Sequence, residues 1–263
     1  MIDVASKKRI VFKFGTSTLT HKTGKINIRR MMNLVRILAD LHNSGKEMLL
    51  VSSGAVGMGI GKLNLPEKPH DTPTKQAAAA VGQCELMHVY DELFEKYGIT
   101  VAQILLTKAT LSNEHFPNVQ NTIQCLLDMN VIPIVNENDT VAIDELELEI
   151  GENDSLAATL AVAMDADLLI ILTDINGLYS SDPKVDACAE EVHVVERVDD
   201  EVMRMAGGTS SKFGSGGMAT KLNAAKIATE NGVDMVIMNG RHPDQLYDLF
   251  DGKTVGTHFL AQK

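Results

Sequence analysis

Short apolar runs alternate with helix-patterned segments along this chain, and few folds accommodate that order. Ile10–Phe14, Met48–Val51, Val101–Leu106, Val131–Val135, Leu168–Leu172 and Met235–Met238 each read as a strand rich in Val, Ile, Leu or Met. Between them lie helical patterns at 27–42, 75–97, 118–129, 153–164 and 218–231. In the first of these, Ile28, Met31, Met32, Val35, Leu38 and Leu41 recur at helical spacing, and Gly45 stands just past its end as a stop. Gly98 closes the second in the same way. Strands that are apolar on both faces must be covered on both faces. The order therefore predicts an α/β protein with a mostly parallel sheet between helices. Ser52–Gly61 reads as a Gly/Ser loop, and Thr140–Ile150 as a hairpin or flap beyond the sheet. No repeat or low-complexity linker divides the 263 residues, so residues 1–263 are expected to form one domain. The alternative is a division near Asp174, with a second lobe holding nucleotide.

Charge narrows the partners. With 24 Lys and Arg against 35 Asp and Glu, the net charge is −11, and no basic run stands out. A nucleic-acid partner is not expected. Cys84, Cys125 and Cys188 are isolated, and the eight histidines show no metal-ligand spacing. Residues 1–9 lack a long apolar segment, and the apolar stretch from Leu156 to Leu172 is broken by Asp165 and Asp167. Neither a signal peptide nor a membrane span is expected, and the protein is read as soluble and cytoplasmic.

In parallel sheets ligands collect beyond the carboxyl ends of the strands. The unusual residues of this chain fall there: Lys13-Phe-Gly15-Thr-Ser17, Ser52-Ser-Gly-Ala-Val-Gly57, Asn136-Glu-Asn-Asp139 and Thr173-Asp174. Any one of these loops could be a plain turn, but four on one rim are not explained so. Lys13 lies among Val11, Phe12 and Phe14, where an unpaired ammonium is costly; it must meet a carboxylate or a bound anion. Asn153 and Asp154 open a helix, where capping is the rival explanation for either. Asn136, Asn138 and Asp139 offer acceptors for an ammonium and donors for a carboxylate, the two ends of an amino acid.

Gly214-Ser-Gly-Gly-Met-Ala-Thr-Lys221 nearly fits two nucleotide motifs. Thr220 separates the glycines from Lys221, so it is not a P-loop. It matches G-x-G-x-x-A, but no strand precedes it, as a dinucleotide turn requires. Glycines ahead of a helix leave backbone N–H groups facing outward, with a lysine in the first turn. That is a phosphate site, or else a surface loop before an ordinary helix. No Ser-His-Asp or Cys-His set is visible, and phosphoryl transfer would need none.

The ordered set of Lys13–Ser17, Val51–Gly57, Asn136–Asp139, Gly151–Asp154, Thr173–Tyr179 and Gly214–Lys221 resembles the glutamate 5-kinases of the amino acid kinase superfamily. The match runs from about residue 9 to 260. The resemblance implies a three-layer αβα fold with about eight strands, and transfer of the ATP γ-phosphate to the side-chain carboxylate of L-glutamate, the first step of proline synthesis. It implies catalytic roles for Lys13, Lys221 and Asp154, the aspartate holding the two ammonium groups. Ser53, Gly54, Asn138, Asp139 and Asn153 would bind glutamate. Lys13, Gly15, Thr173, Asp174, Ser215, Gly216, Gly217, Met218, Ala219, Thr220 and Lys221 would bind ATP. Mg²⁺ would bridge the ATP phosphates without direct protein ligands. The half before about residue 174 would take glutamate and the half after it ATP. A homo-oligomer, dimer or tetramer, and feedback inhibition by proline through the loop near Thr140–Ile150 are also implied.

The pattern has departures. The C-terminal PUA domain common in such enzymes is not expected in this chain. Glu152 stands where an aspartate is usual, and phenylalanines flank Lys13 where smaller aliphatics are usual. Rival readings are an acetylglutamate or aspartate kinase, a nucleotide-binding sensor on the same fold, or a nicotinamide dehydrogenase. Paired glycines would be expected in the first loop of the other two kinases, where Gly15-Thr16 stands here.

Overall fold

The computed structural model describes residues 1–21, 23–112, 114, 116–141, 152–183, 185–186, 188–206 and 217–262. Its strands are β1 Arg9–Phe14, β2 Glu47–Ser52, β3 Val101–Leu106, β4 Ile132–Glu137, β5 Leu168–Thr173, β6 Leu178–Tyr179, β7 Glu191–Val192, β8 Val194–Val195, β9 Asp234–Asn239 and β10 Thr257–Phe259. Its helices are α1 Thr16–Leu19, α2 Ile28–Asn43, α3 Ala55–Leu63, α4 Thr72–Glu95, α5 Lys108–Ser112, α6 Phe116–Asp128, α7 Glu152–Ala163, α8 Asp200–Met205, α9 Met218–Glu230 and α10 Gln245–Phe250. All the strands except β6 and β7 belong to an eight-stranded, mainly parallel sheet with flanking helices, the expected αβα class. The six strands predicted from apolar runs are all present, with ends shifted by a residue or two. The flap expected at 140–150 lies outside the described residues from 142 onward.

The chain divides into two compact units. The continuous unit is Phe14–Leu148; the split unit joins Met1–Lys13 to Glu149–Lys263.

In the continuous unit β4 is parallel to both β2 and β3, with Leu50 opposite Ile134 and Gln103 also opposite Ile134. Met48–Val51 and Ile132–Val135 are buried almost throughout, which explains their lack of polar alternation. Two helices are capped as sequence rules require: Asn27 accepts from the Arg30 N–H at the start of α2, and Asp71 from the Thr74 N–H at the start of α4.

The expectation of a loop over Ser52–Gly61 is corrected here, because α3 begins at Ala55. Its glycines serve close packing instead of flexibility. A Cβ on Gly59 would lie 1.8 Å from the Ala78 carbonyl oxygen, and one on Gly82 1.8 Å from the Ala55 carbonyl oxygen. Backbone-to-backbone contact between α3 and α4 therefore excludes any side chain at either position.

In the split unit β5 runs parallel to β9, from Leu168 opposite Asp234 to Thr173 opposite Asn239. Beyond β9, β10 is antiparallel to it and β8 is parallel to β10. Leu168–Leu172 are entirely buried, each such side chain stabilising the fold by about 1.5–3 kcal/mol. Helices α7 and α9 pack on each other. The short elements β6, β7, β8, β10, α8 and α10 were not read from sequence; none is long enough to show a period. Among the described residues no helix is long and apolar enough to cross a membrane.

Candidate active site

Burying a lysine requires a partner, and the split unit supplies one carboxylate for two lysines. Lys13, the penultimate residue of β1, is 7 % exposed; Lys221, in the first turns of α9, is 4 % exposed. Both approach Asp154 of α7, which is fully buried. Lys13 Nζ lies 2.7 Å from Asp154 Oδ1 and Lys221 Nζ 3.3 Å from Oδ2. The Thr220 hydroxyl stands 2.9 Å from Asp154 Oδ2 and 2.8 Å from the Gly217 carbonyl oxygen, so its single proton serves one acceptor at a time. Asp154 is thus an ion-pair centre within α7, which settles the choice between pairing and capping in favour of pairing.

Two ammonium groups thus meet one carboxylate in a nearly dry place. Burial pushes the Lys13 ammonium below its ordinary value; Asp154 offsets part of that, and Lys221 adds to the fall. Burial alone would push the Asp154 carboxyl up, but the two lysines and Thr220 outweigh it and hold it low. An aspartate ionised between two lysines is a holder of cations, not a proton shuttle.

Helix α9 opens at Gly217, which has no side chain to cap the N-terminal N–H groups. In the continuous unit α3 opens in the same way, at Gly54. There φ is +112°, a left-handed value that favours glycine. These starts contrast with the side-chain caps of α2 and α4. Uncapped N–H groups at a helix start suit phosphate or carboxylate oxygens.

Residues 8–239 match the model of the amino acid kinase family. The chain belongs to that family. It is 49 % identical over 259 residues to the glutamate 5-kinase of Clostridium perfringens, covering 97 % of this chain and 96 % of that one. It is 50 % identical over 260 residues to the glutamate 5-kinase of Clostridium acetobutylicum, covering 98 % and 97 %. Against the longer glutamate 5-kinase of Moorella thermoacetica the identity is 47 % over 261 residues, 99 % of this chain and 68 % of the relative. The structure of the UMP kinase of Bacillus anthracis superposes with a TM-score of 0.64 at 16 % identity, covering 98 % and 97 % of the two chains. That likeness is one of fold.

The remaining candidate residues of this amino acid kinase fall as follows. In the split unit Thr173 ends β5, and exposed Asp174 follows it, 3.8 Å from Arg241. Asn153 is half-buried beside Asp154, and Met218 and Ala219 form the first turn of α9. Ser215 and Gly216 lie outside the described residues. In the continuous unit Ser53 donates its N–H to the Phe14 carbonyl at 3.0 Å. Asn138 donates its N–H to the Leu106 carbonyl at 2.7 Å and accepts from the Thr140 hydroxyl at 2.6 Å. Asp139 is half-buried next to it, and Gly15 stands at the start of α1 with ordinary extended backbone.

Sequence reasoning missed some neighbours. Asn239, at the end of β9, donates to Asn176 Oδ1 at 2.8 Å and accepts the Arg241 N–H at 2.9 Å. These residues cluster beside Thr173, whose carbonyl accepts the Gly240 N–H at 2.7 Å. The available signal was Asn239 closing an apolar strand, the same cue that singled out Thr173-Asp174.

Proposed function

We propose that this protein transfers the γ-phosphoryl group of ATP to the side-chain carboxylate of L-glutamate, giving ADP and glutamate 5-phosphate. The observation that carries the proposal is the buried pair of lysines on Asp154. Two ammonium groups held together in a dry place are what two approaching anions need. The glutamate carboxylate, with an ordinary pKa of about 4.3, is already ionised near neutral pH, so no general base is required. A carboxylate oxygen bonds to the γ-phosphorus while the bond from that phosphorus to the β–γ bridging oxygen breaks, and ADP leaves. Lys13 and Lys221 offset the charge on the transferring phosphoryl group, and Asp154 holds both side chains in place. The three relatives of 47–50 % identity are glutamate 5-kinases by name, which favours glutamate as the acceptor.

Glutamate is assigned to Ser53, Gly54, Asn138, Asp139 and Asn153. ATP is assigned to Lys13, Gly15, Thr173, Asp174 and the 215–221 loop. Mg²⁺ would enter on the triphosphate oxygens, because Asp154 is committed to two lysines. Its charge would further reduce repulsion between the anions. Proline as inhibitor, assembly into a homo-oligomer and a cytoplasmic place in proline synthesis belong to the same reading. The test is a hydroxylamine trap of the acyl phosphate, with ATP, Mg²⁺ and glutamate, aspartate or N-acetylglutamate. Hydroxamate from glutamate is expected; hydroxamate from aspartate or N-acetylglutamate alone would overturn the assignment.

A further inference from the structure

The continuous unit carries a second set of buried polar side chains, which the transfer chemistry does not use. On the buried face of α4, Gln83 and Tyr90 stand seven residues apart, about two helical turns. Gln83 Oε1 accepts a hydrogen bond from Asn136 Nδ2 at 2.8 Å, and the hydroxyls of Tyr90 and Ser52 lie 3.0 Å apart. Asn136 and Ser52 stand at the carboxyl ends of β4 and β2, which pair with Val51 opposite Val135. These two strand ends lead directly into Ser53–Gly54 and Asn138–Asp139. Helix α4 is itself fixed in place, since Gly82 leaves no room for a Cβ against the Ala55 carbonyl.

Neither side chain is the choice that stability alone would make. Gln83 is 8 % exposed, and among the described residues nothing accepts a hydrogen bond from its buried Nε2. A buried donor without an acceptor is unfavourable. Tyr90 is fully buried, where phenylalanine would fill nearly the same volume without a hydroxyl to satisfy. Burial pushes its hydroxyl pKa up, so it stays protonated beside Ser52.

We propose that Gln83 and Tyr90 are positioning residues for the amino-acid substrate, a polar brace that fixes where β2 and β4 deliver their substrate-binding ends. The proposal rests on the glutamate reading above. Gln83 acts through Asn136 and Tyr90 through Ser52; neither touches the reacting atoms. Such a brace governs glutamate and not ATP.

The test compares Gln83→Leu, Gln83→Glu and Tyr90→Phe with wild type in the hydroxamate assay, measuring KM for glutamate and for ATP, kcat and the thermal midpoint. Gln83→Leu should raise the glutamate KM about tenfold and Tyr90→Phe severalfold, with the ATP KM within about twofold and the thermal midpoint nearly unchanged. Gln83→Glu keeps an oxygen to accept from Asn136 and should recover most of the loss. A lowered midpoint with unchanged glutamate KM would show a merely structural role and overturn the proposal. A parallel rise in both KM values, or no recovery in Gln83→Glu, would overturn it too. Absence of glutamyl hydroxamate from wild type would remove the glutamate reading itself, whereas activity in wild type with unaffected variants would remove only the brace.

Discussion

The two units solve the same problem, polar side chains buried at strand ends, in opposite ways. In the split unit three charged side chains meet, Lys13, Asp154 and Lys221. In the continuous unit the partners are neutral and taken in pairs, Gln83 with Asn136 and Tyr90 with Ser52. Charged groups act on whatever anion approaches, whereas a neutral pair only fixes geometry. The comparison assigns charge stabilisation to one unit and shape to the other.

The sharpest way to break it is to remove the shared carboxylate. Asp154→Ala removes the carboxylate that both buried ammonium groups meet, and should cost about 3–5 kcal/mol of stability, read by urea unfolding, together with nearly all activity. In the continuous unit the corresponding weak point is steric. Gly82→Ala sets a Cβ against the Ala55 carbonyl, and overpacking of this kind should cost about 1–3 kcal/mol in the same unfolding assay.

Dependence on pH should sharpen the account of the split unit. The folded pKa of Asp154 is below its unfolded value near 3.8, so its contribution is fully present above that value and lost as pH falls through the folded one. The stability difference between wild type and Asp154→Asn should therefore be flat above about pH 5 and shrink below pH 4. Lys13 has the opposite sign. Its folded pKa is below 10.5, so its burial penalty is present at neutral pH and relieved as pH rises through the folded value. Turnover should fall over that same rise, as the ammonium is lost, and Lys13→Arg should move the alkaline limb upward. The smallest effect is expected from Thr220→Val, which removes one hydrogen bond to Asp154 and should cost about 1 kcal/mol with KM for glutamate unchanged.

Much of this was legible in the chain before folding. The apolar runs at 10–14, 48–51 and 168–172 give the sheet because strands covered on both faces have no polar side to alternate. Lys13 was legible as a site because its neighbours forced a partner on it, although only folding shows that Asp154, 141 residues away, is that partner. What stayed hidden was packing. Gly57, Gly59 and Gly61 look like a loop by composition and are a helix, because the reason for glycine at 59 is the backbone of α4. Gln83 gave no period or motif to read; between Gly82 and Cys84 it is merely polar, and its meaning comes from Asn136 across the unit.

The central claim is that the two lysines held by Asp154 offset the charge on the transferring phosphoryl group. The direct measurement is single-turnover phosphoryl transfer in Lys221→Ala, at saturating glutamate, ATP and Mg²⁺, with circular dichroism to establish that the variant is folded. A loss of about 10²–10³-fold in rate, as for other donors aimed at developing transition-state charge, is the predicted result. A folded variant that turns over at nearly the wild-type rate would contradict it.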